Sequence, residues 1–335
     1  MHARRLESVL DTTGRHVGRP DRDLALELVR ATEAAAILSA PHIGKGDKVA
    51  ADGAAVDAMR AFLDTVNFDG VVVIGEGEKD SAPMLYNGEH VGNGEGPSAD
   101  IAVDPIDGTS MTAQGRDNAI SLIAVADRFA MLDASSVFYM DKLVTDESGI
   151  GVVDLREPVE ANIRALAAAK HKSTADMVIA VLDRPRHVEL IDRIRSTGAA
   201  TRMLLDGDGA GGINAARDDT RIDMCVGMGG SPEGIVTACA IKAMGGFIQA
   251  KLMPSSVLER TRAEEAGLDV DRIYEADDLV SGDNTMFVAT GVTDGGLVAG
   301  VQRTGQWVQT ESIVLRSRSG TVRRITARHR AERWY

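Results

Sequence analysis

Gly70 to Asp80 read GVVVIGEGEKD and Ser98 to Thr109 read SADIAVDPIDGT, two apolar runs that each end in acidic residues. The β-branched content of both runs predicts strands. A strand that stops at Glu76, beside another that stops at Asp104 with Asp107 three residues on, gathers carboxylates at one sheet edge. Such a cluster repels itself unless a cation compensates it, and an all-oxygen donor set selects hard ions such as Mg2+ or Mn2+ over zinc or copper. Metal-assisted phosphate chemistry is the reaction class to which this pattern points.

Within Asp104-Pro105-Ile106-Asp107-Gly108-Thr109, Pro105 ends the ladder, Asp107 can point back toward Asp104, and Gly108 permits a close turn. Thr109 offers a hydroxyl and an amide to an anion. Two carboxylates and a hydroxyl at this spacing can hold metal ions and orient a water for in-line attack on phosphorus; the alternative is an acidic turn closed by an Asx hydrogen bond. Glu76 directly follows VVVIG and is expected to be half-buried, where an unpaired carboxylate is costly. It is therefore expected as a ligand, with Glu78, Lys79 and Asp80 as outer or surface groups.

Outward from these strands, Asp21 to Ala40 has apolar residues at a helical period and Pro41 to stop it. The segment DGAAVDAMRAFLDTVN has the same period, with Val56, Met59 and Leu63 on one face and Asp52 at its start, where Asp52 either caps the helix or joins the acidic site. NAISLIAVADR and SVFYMDKLVT read as further strands, so the first half is helices packed on a sheet. From about Pro158 helices and strands alternate strictly, a βαβ series that implies a mainly parallel sheet with ligands beyond the carboxyl ends of its strands. Those ends carry Asp183-Arg184-Pro185-Arg186, Asp206-Gly207-Asp208 and GMGGSPEG, and all three can line one cleft. Arg184 and Arg186 either clamp a phosphate with their forked guanidinium groups or are solvated. Ser231 is expected as a helix cap with Pro232 in the first turn; Glu233 either favours the helix dipole or faces the metals. The chain from Thr290 onward reads as closing strands whose domain is left open. The expected division is a flexible tail over 1–20, a metal-binding α+β domain over 21–157 and an α/β substrate domain over 158–335.

The chain has 335 residues, 44% hydrophobic and 26% charged, with a formal net charge of -13. That balance argues against a general nucleic-acid binder. Cys225 and Cys239, each in an apolar segment, offer no disulfide framework or zinc spacing and are expected as buried thiols in a reducing cytoplasm. No secretory signal or run of membrane-spanning length is found. Seven arginines between Arg316 and Arg333 are read as the solvated face of a hairpin around Ser319-Gly320. There is no P-loop, HExxH or GxSxG pattern, and GMGGSP has Pro232 where a dinucleotide fingerprint requires glycine.

RATEAAA, ADGAAVDAMR, VVIGEGEKDSAPMLYNGEHVG, DIAVDPIDGT, VFYMDK, LDRPRH, DGD, GGSPEG and DNTMFVATGVT follow one another along nearly the whole chain. In these stretches the sequence resembles the class II fructose-1,6-bisphosphatases, within the lithium-sensitive phosphatase superfamily that includes the inositol monophosphatases. The resemblance implies a layered α/β/α sandwich in two domains, combining α+β and α/β parts. It implies that Asp52 and Glu76 bind one divalent cation and Asp104, Asp107 and Glu233 a second. It implies sugar bisphosphate contacts from Asp107, Gly108, Thr109, Tyr139, Arg184, Pro185, Arg186, Asp206, Gly207, Asp208 and Gly230. Thr109 and Asp52 are then catalytic: the Thr109 hydroxyl helps to activate the attacking water, and no covalent phosphoenzyme forms. The expected reaction removes the 1-phosphate of fructose 1,6-bisphosphate in gluconeogenesis, with Mg2+ or Mn2+, in a cytoplasmic homo-oligomer, dimer or tetramer, that takes no nucleic acid or membrane as partner. Alternatives are a related phosphomonoesterase for sedoheptulose 1,7-bisphosphate or an inositol phosphate, and a noncatalytic sugar-phosphate sensor. Gly209-Ala210-Gly211-Gly212 departs from the family's more apolar continuation; each extra glycine weakens a helix start by about 1 kcal/mol, so a more mobile loop is expected there.

Overall fold

The computed structural model describes residues 9–10, 16–17, 24–75 and 84–334. Two short strands, β1 (Val9–Leu10) and β2 (His16–Val17), pair antiparallel. Helices α1 (Leu24–Ser39) and α2 (Lys48–Leu63) follow. Then come β3 (Asp69–Ile74), β4 (His90–Val91), β5 (Ser98–Asp107), the short helix α3 (Thr109–Gln114) and β6 (Ile120–Asp127). β3 and β5 are the two acid-ended runs, and they are neighbours in parallel register, Val72 beside Ile101.

The next stretch builds a second sheet. It runs β7 (Tyr139–Thr145), α4 (Val159–Ala169), β8 (Val178–Leu182), α5 (Val188–Ser196), β9 (Ala200–Leu204), α6 (Gly209–Ala215), β10 (Met224–Gly230) and α7 (Ser231–Met244). It ends with β11 (Phe247–Leu252), α8 (Val257–Glu265), β12 (Tyr274–Glu275) and α9 (Ala276–Leu279). The chain then returns to the first sheet with β13 (Met286–Gly291), β14 (Gln302–Thr304), β15 (Trp307–Arg316) and β16 (Thr321–Arg330). The eight-stranded sheet has the order β14-β15-β13-β6-β5-β3-β4 with β16 on β15, and the six-stranded sheet the order β12-β11-β7-β10-β8-β9.

The six-stranded sheet is mixed where the alternation of helix and strand implied a mainly parallel one. β8, β9, β10 and β11 do run in one direction, but β7 inserts between β10 and β11 and opposes both. The α7 crossover therefore straddles a strand contributed by the stretch before Pro158. That alternation carries no sign of the insertion, because a crossover has the same sequence pattern whether it spans one strand or two.

The layered α/β architecture is present with five layers. α1 and α2 cover one face of the eight-stranded sheet, α6 and α7 lie between the sheets, and α4 and α5 cover the far face of the six-stranded one. α7 explains why the two sheets share one core. Its SPEGIVTACAIKAM sequence is apolar and small on almost every side, so Ile235, Val236, Ala238, Cys239, Ala240 and Ile241 are all buried, as a helix sandwiched between sheets requires. Central strands face packing on both sides: on β5, Ile101 and Val103 point to α1 and α2 while Ala102 points to α7. Where α1 presents polar side chains to the sheet they are satisfied, Thr32 bonding Thr290 at 2.7 Å and Thr290 bonding Ser312 at 2.8 Å.

The Arg-rich terminus forms the β15–β16 hairpin, and Arg323, Arg324, Arg328 and Arg330 are exposed, as read from the sequence. Cys225 and Cys239 are buried, and burial pushes both thiols well above their ordinary pKa, Cys239 to about 12. Among the described residues no helix is long and apolar enough to cross a membrane. Most of the expected N-terminal tail lies outside the described residues.

Candidate active site

The ends of β5 and β10 meet across a cavity of about 240 Å³ lined by Asp104, Asp107, Gly209, Gly230 and Glu233, with Gly75 after β3 at its wall. β5 of one sheet and the start of α7, which follows β10 of the other, thus contribute carboxylates to one space. β5 ends on an irregularity between Asp104 and Asp107, which lets two residues three apart both reach the cavity. Gly108 follows with φ +96 and serves as the N-cap of α3, a left-handed conformation that glycine adopts without strain. Thr109 then opens α3, half-buried, with its hydroxyl donating to the Ile106 carbonyl at 3.3 Å.

Three glycines let the acids come close to backbone. A Cβ on Gly207 would stand 2.0 Å from Asp107 Oδ1, one on Gly229 2.2 Å from Asp208 Oδ2, and one on Gly230 2.0 Å from Glu233 Oε2. Gly207 is also left-handed, at φ +48. These contacts are the physical reason for the glycines in DGD and GGSPEG.

The acids are held against their electrostatic preference. Asp107 is only 7% exposed, and burial, reinforced by Glu233, Asp206 and Asp208, raises its pKa to about 8. Burial likewise raises Glu233, partly offset by Lys142. Like carboxylates forced together out of water ionise reluctantly, so among the described residues the site is short of positive charge. The buried cation among them is Lys142 on β7, whose Nζ donates to Asp208 Oδ1 at 2.9 Å and to the Gly230 carbonyl at 2.7 Å. Ser231 Oγ at the start of α7 is buried with no hydrogen-bond partner among the described residues. Oxygen donors, glycine clearances and uncompensated charge fit hard divalent ions.

Some expectations need correction. Asp52 does not cap its helix: α2 begins at Lys48, and Asp47 is the cap, accepting from the Ala50 amide at 2.9 Å. Asp52 lies a turn further in, half-buried, with burial raising its pKa, and it is not among the residues that line the cavity. Ser231 does not cap α7 either; Gly230 occupies that position. Glu76, with Glu78, Lys79 and Asp80, lies outside the described residues. Among the described residues no three acidic, histidine or cysteine side chains are grouped closely enough to hold an ion.

The remaining predicted residues sit at the same edge. β10 and β7 are paired so that Gly230 opposes Tyr139, and the Arg186 guanidinium lies 5.0 Å over the Tyr139 ring. Arg186 also donates to the Met228 carbonyl, at 2.8 Å from Nη2. Arg184 donates to the Leu205 carbonyl at 2.7 Å and to Asp206 at 2.9 Å, so it ties the end of β8 to the turn after β9. Pro185 opens the single 3-10 turn Pro185–His187 between them. α6 begins at Gly209 as a packed helix rather than a loose loop. A Cβ on Gly211 would meet Leu204 at 2.5 Å and one on Gly212 would meet Thr237 at 3.0 Å, so these glycines serve close packing.

Two residues escaped the sequence reading. Lys142 sits inside the apolar run YMDKLVT, and a lysine there is the one available signal, since buried lysines are almost always paired. His187 is 3% exposed; its Nε2 accepts from the Met228 amide and its Nδ1 lies 2.9 Å from the Leu182 carbonyl. The accepted bond fixes the neutral tautomer with the proton on Nδ1, which locks the ends of β8 and β10 together.

Residues 22–329 match the family described as "Bacterial fructose-1,6-bisphosphatase, glpX-encoded". The chain is 43% identical over 322 residues to the "Fructose-1,6-bisphosphatase class 2" of Haemophilus influenzae, covering 92% of this chain and 96% of that protein. It is 40% identical over 325 residues to the "Fructose-1,6-bisphosphatase 1 class 2" of Escherichia coli K12, covering 93% and 96%. With a family match over nearly the whole chain, and with DPIDGT, DGD and GGSPEG brought together at one acidic cavity between two sheets, the chain belongs to the class 2 bacterial fructose-1,6-bisphosphatases.

Proposed function

We propose that this protein hydrolyses the 1-phosphate of D-fructose 1,6-bisphosphate, giving fructose 6-phosphate and phosphate, as a gluconeogenic, metal-dependent phosphatase of the cytoplasm that works as a homo-oligomer. The observation that carries the reading is the pair of carboxylates, Asp107 buried at the end of β5 and Glu233 half-buried in the first turn of α7, brought into one cavity in a member of this family.

Asp52 and Glu76 are assigned to one divalent ion and Asp104, Asp107 and Glu233 to a second, either Mg2+ or Mn2+. When bound, the ions supply positive charge to the attacking and leaving oxygens of an in-line displacement. The chain's own residues do the rest. The Thr109 hydroxyl spends its proton on the Ile106 carbonyl, so its lone pairs are left to accept from a water and orient it. Lys142 fixes Asp208 and the Gly230 carbonyl, which sets the sugar-facing wall. Tyr139, Pro185 and the Arg184 and Arg186 guanidiniums at the carboxyl end of β8 receive the second, non-reacting phosphate; guanidinium forks suit phosphate oxygens. Asp206, Gly207 and Gly108 complete the sugar contacts.

A substrate panel tests this. Phosphate release from fructose 1,6-bisphosphate should exceed that from inositol 1-phosphate in the presence of Mg2+ or Mn2+, and Arg186→Met should raise KM for the bisphosphate more than it lowers kcat. Faster release from sedoheptulose 1,7-bisphosphate or an inositol phosphate would reassign the substrate, and no release with either metal would leave a sugar-phosphate sensor.

A further inference from the structure

A second cavity, of about 600 Å³, adjoins the acidic site without sharing its lining. Its walls are the segment after α3, the edge strand β9, α6 and the turn that follows β9. The floor is apolar, with Met111, Leu204, Leu205 and Ile222, and the rim carries Arg116 and Arg202. Both arginines are exposed, and neither guanidinium makes a hydrogen bond or ion pair among the described residues. Two carboxylates also line the space: Asp206, already bonded to Arg184, and Asp117. In a chain of net charge -13, two unpaired guanidiniums facing one cavity mark an anion position, since guanidinium matches phosphate bidentately.

We propose that this cavity is a second binding site, which takes a small phosphorylated molecule with its phosphate between Arg116 and Arg202 and an apolar body on the Met111 and Leu204 floor. Arg184 and Arg186, assigned above to the substrate's second phosphate, do not line it, while Asp206 and Gly207, assigned above to the sugar contacts, stand in the wall between the two spaces. The site communicates with the acidic one through a single wall. Leu205, Asp206 and Gly207 face the second cavity, while the same turn holds Arg184 and abuts Asp107. An occupant that props this turn changes how closely it stands against Asp107.

The test is isothermal titration of the Mg2+-loaded protein with phenylphosphonate, a non-hydrolysable probe with a dianionic head and an apolar ring. Wild type is compared with Arg116→Gln/Arg202→Gln and with a control, Arg323→Gln/Arg328→Gln, which makes the same change of charge on the exposed hairpin. The expected result is a saturable site in wild type and control that is at least about tenfold weaker in the Arg116/Arg202 variant, with hydrolysis in the absence of probe unchanged. Matching isotherms for wild type and that variant, or an equal loss in the control, would overturn the proposal. Because the readout is binding at residues outside the acidic site, its failure leaves the catalytic reading standing, and failure of that reading leaves this one testable.

Discussion

Lys142 donates from Nζ to the Asp208 carboxylate at 2.9 Å, and the two side chains are 5% and 8% exposed. A buried pair of this kind is costly to break from one side, because the remaining charge is stranded. Lys142→Met is therefore expected to lower stability by about 3–5 kcal/mol, read as a shift of the denaturant midpoint. Adding Asp208→Leu should recover part of that loss. Equal losses in the single and double variants would mean that the pair contributes through packing alone.

Gly230→Ala tests whether the glycines exist for the acids. Its Cβ would stand 2.0 Å from Glu233 Oε2, the mobile end of a side chain, so Glu233 should move while the fold survives. The expected outcome is a near-native melting curve with strongly weakened Mg2+ activation. Gly245→Ala, with no atom within 4 Å of its added Cβ but φ +77, should do the opposite, with activity kept and stability lowered by about 1–2 kcal/mol.

Asp107 sets a pH dependence. Its folded pKa of about 8 stands above the ordinary carboxyl value of 3.8, so the metal-free folded state binds the proton more tightly than the unfolded one. Stability from this group is then present at low pH and is lost as pH rises from about 4 to about 8. The difference in melting temperature between metal-free wild type and Asp107→Asn should fall through that window, and Mg2+ should stabilise wild type more at pH 8.5 than at pH 6. A difference that is flat with pH would contradict the burial argument.

Thr109 is expected to act on turnover rather than binding. Thr109→Ala removes the oxygen that orients the water and should lower kcat by about 100- to 10,000-fold, with KM changed little, while Thr109→Ser should keep most of the rate. A variant that loses KM and kcat together would place the hydroxyl on the substrate instead.

The periodic signals in the sequence were the legible ones. α1, α2 and α5 follow their apolar spacing, and β3 and β5 pair side by side as their acid-ended runs suggested. What escaped was long-range. The insertion of β7 between β10 and β11 leaves no local trace, and Lys142 acquires its role only when that insertion brings it under Gly230 and Asp208. The stretch from Phe247 to Leu279, with β11, α8, β12 and α9, went unread because its elements are short and only part of α8 is apolar. Capping failed at Asp52 and Ser231 for a shared reason: another residue, Asp47 or Gly230, already held the cap position. In the site, the acids and glycines of DPIDGT, DGD and GGSPEG were visible as types, and their approach distances were not.

The most direct test of the central claim is phosphate release from fructose 1,6-bisphosphate by wild type and Glu233→Gln, each with Mg2+, Mn2+ or EDTA. Glu233 comes from the helix between the sheets and Asp107 from the eight-stranded sheet, so a shared site predicts metal-dependent release in wild type that falls to background in EDTA and in the variant. Release that persists in EDTA, or a Glu233→Gln protein as active as wild type at every metal concentration, would contradict the account.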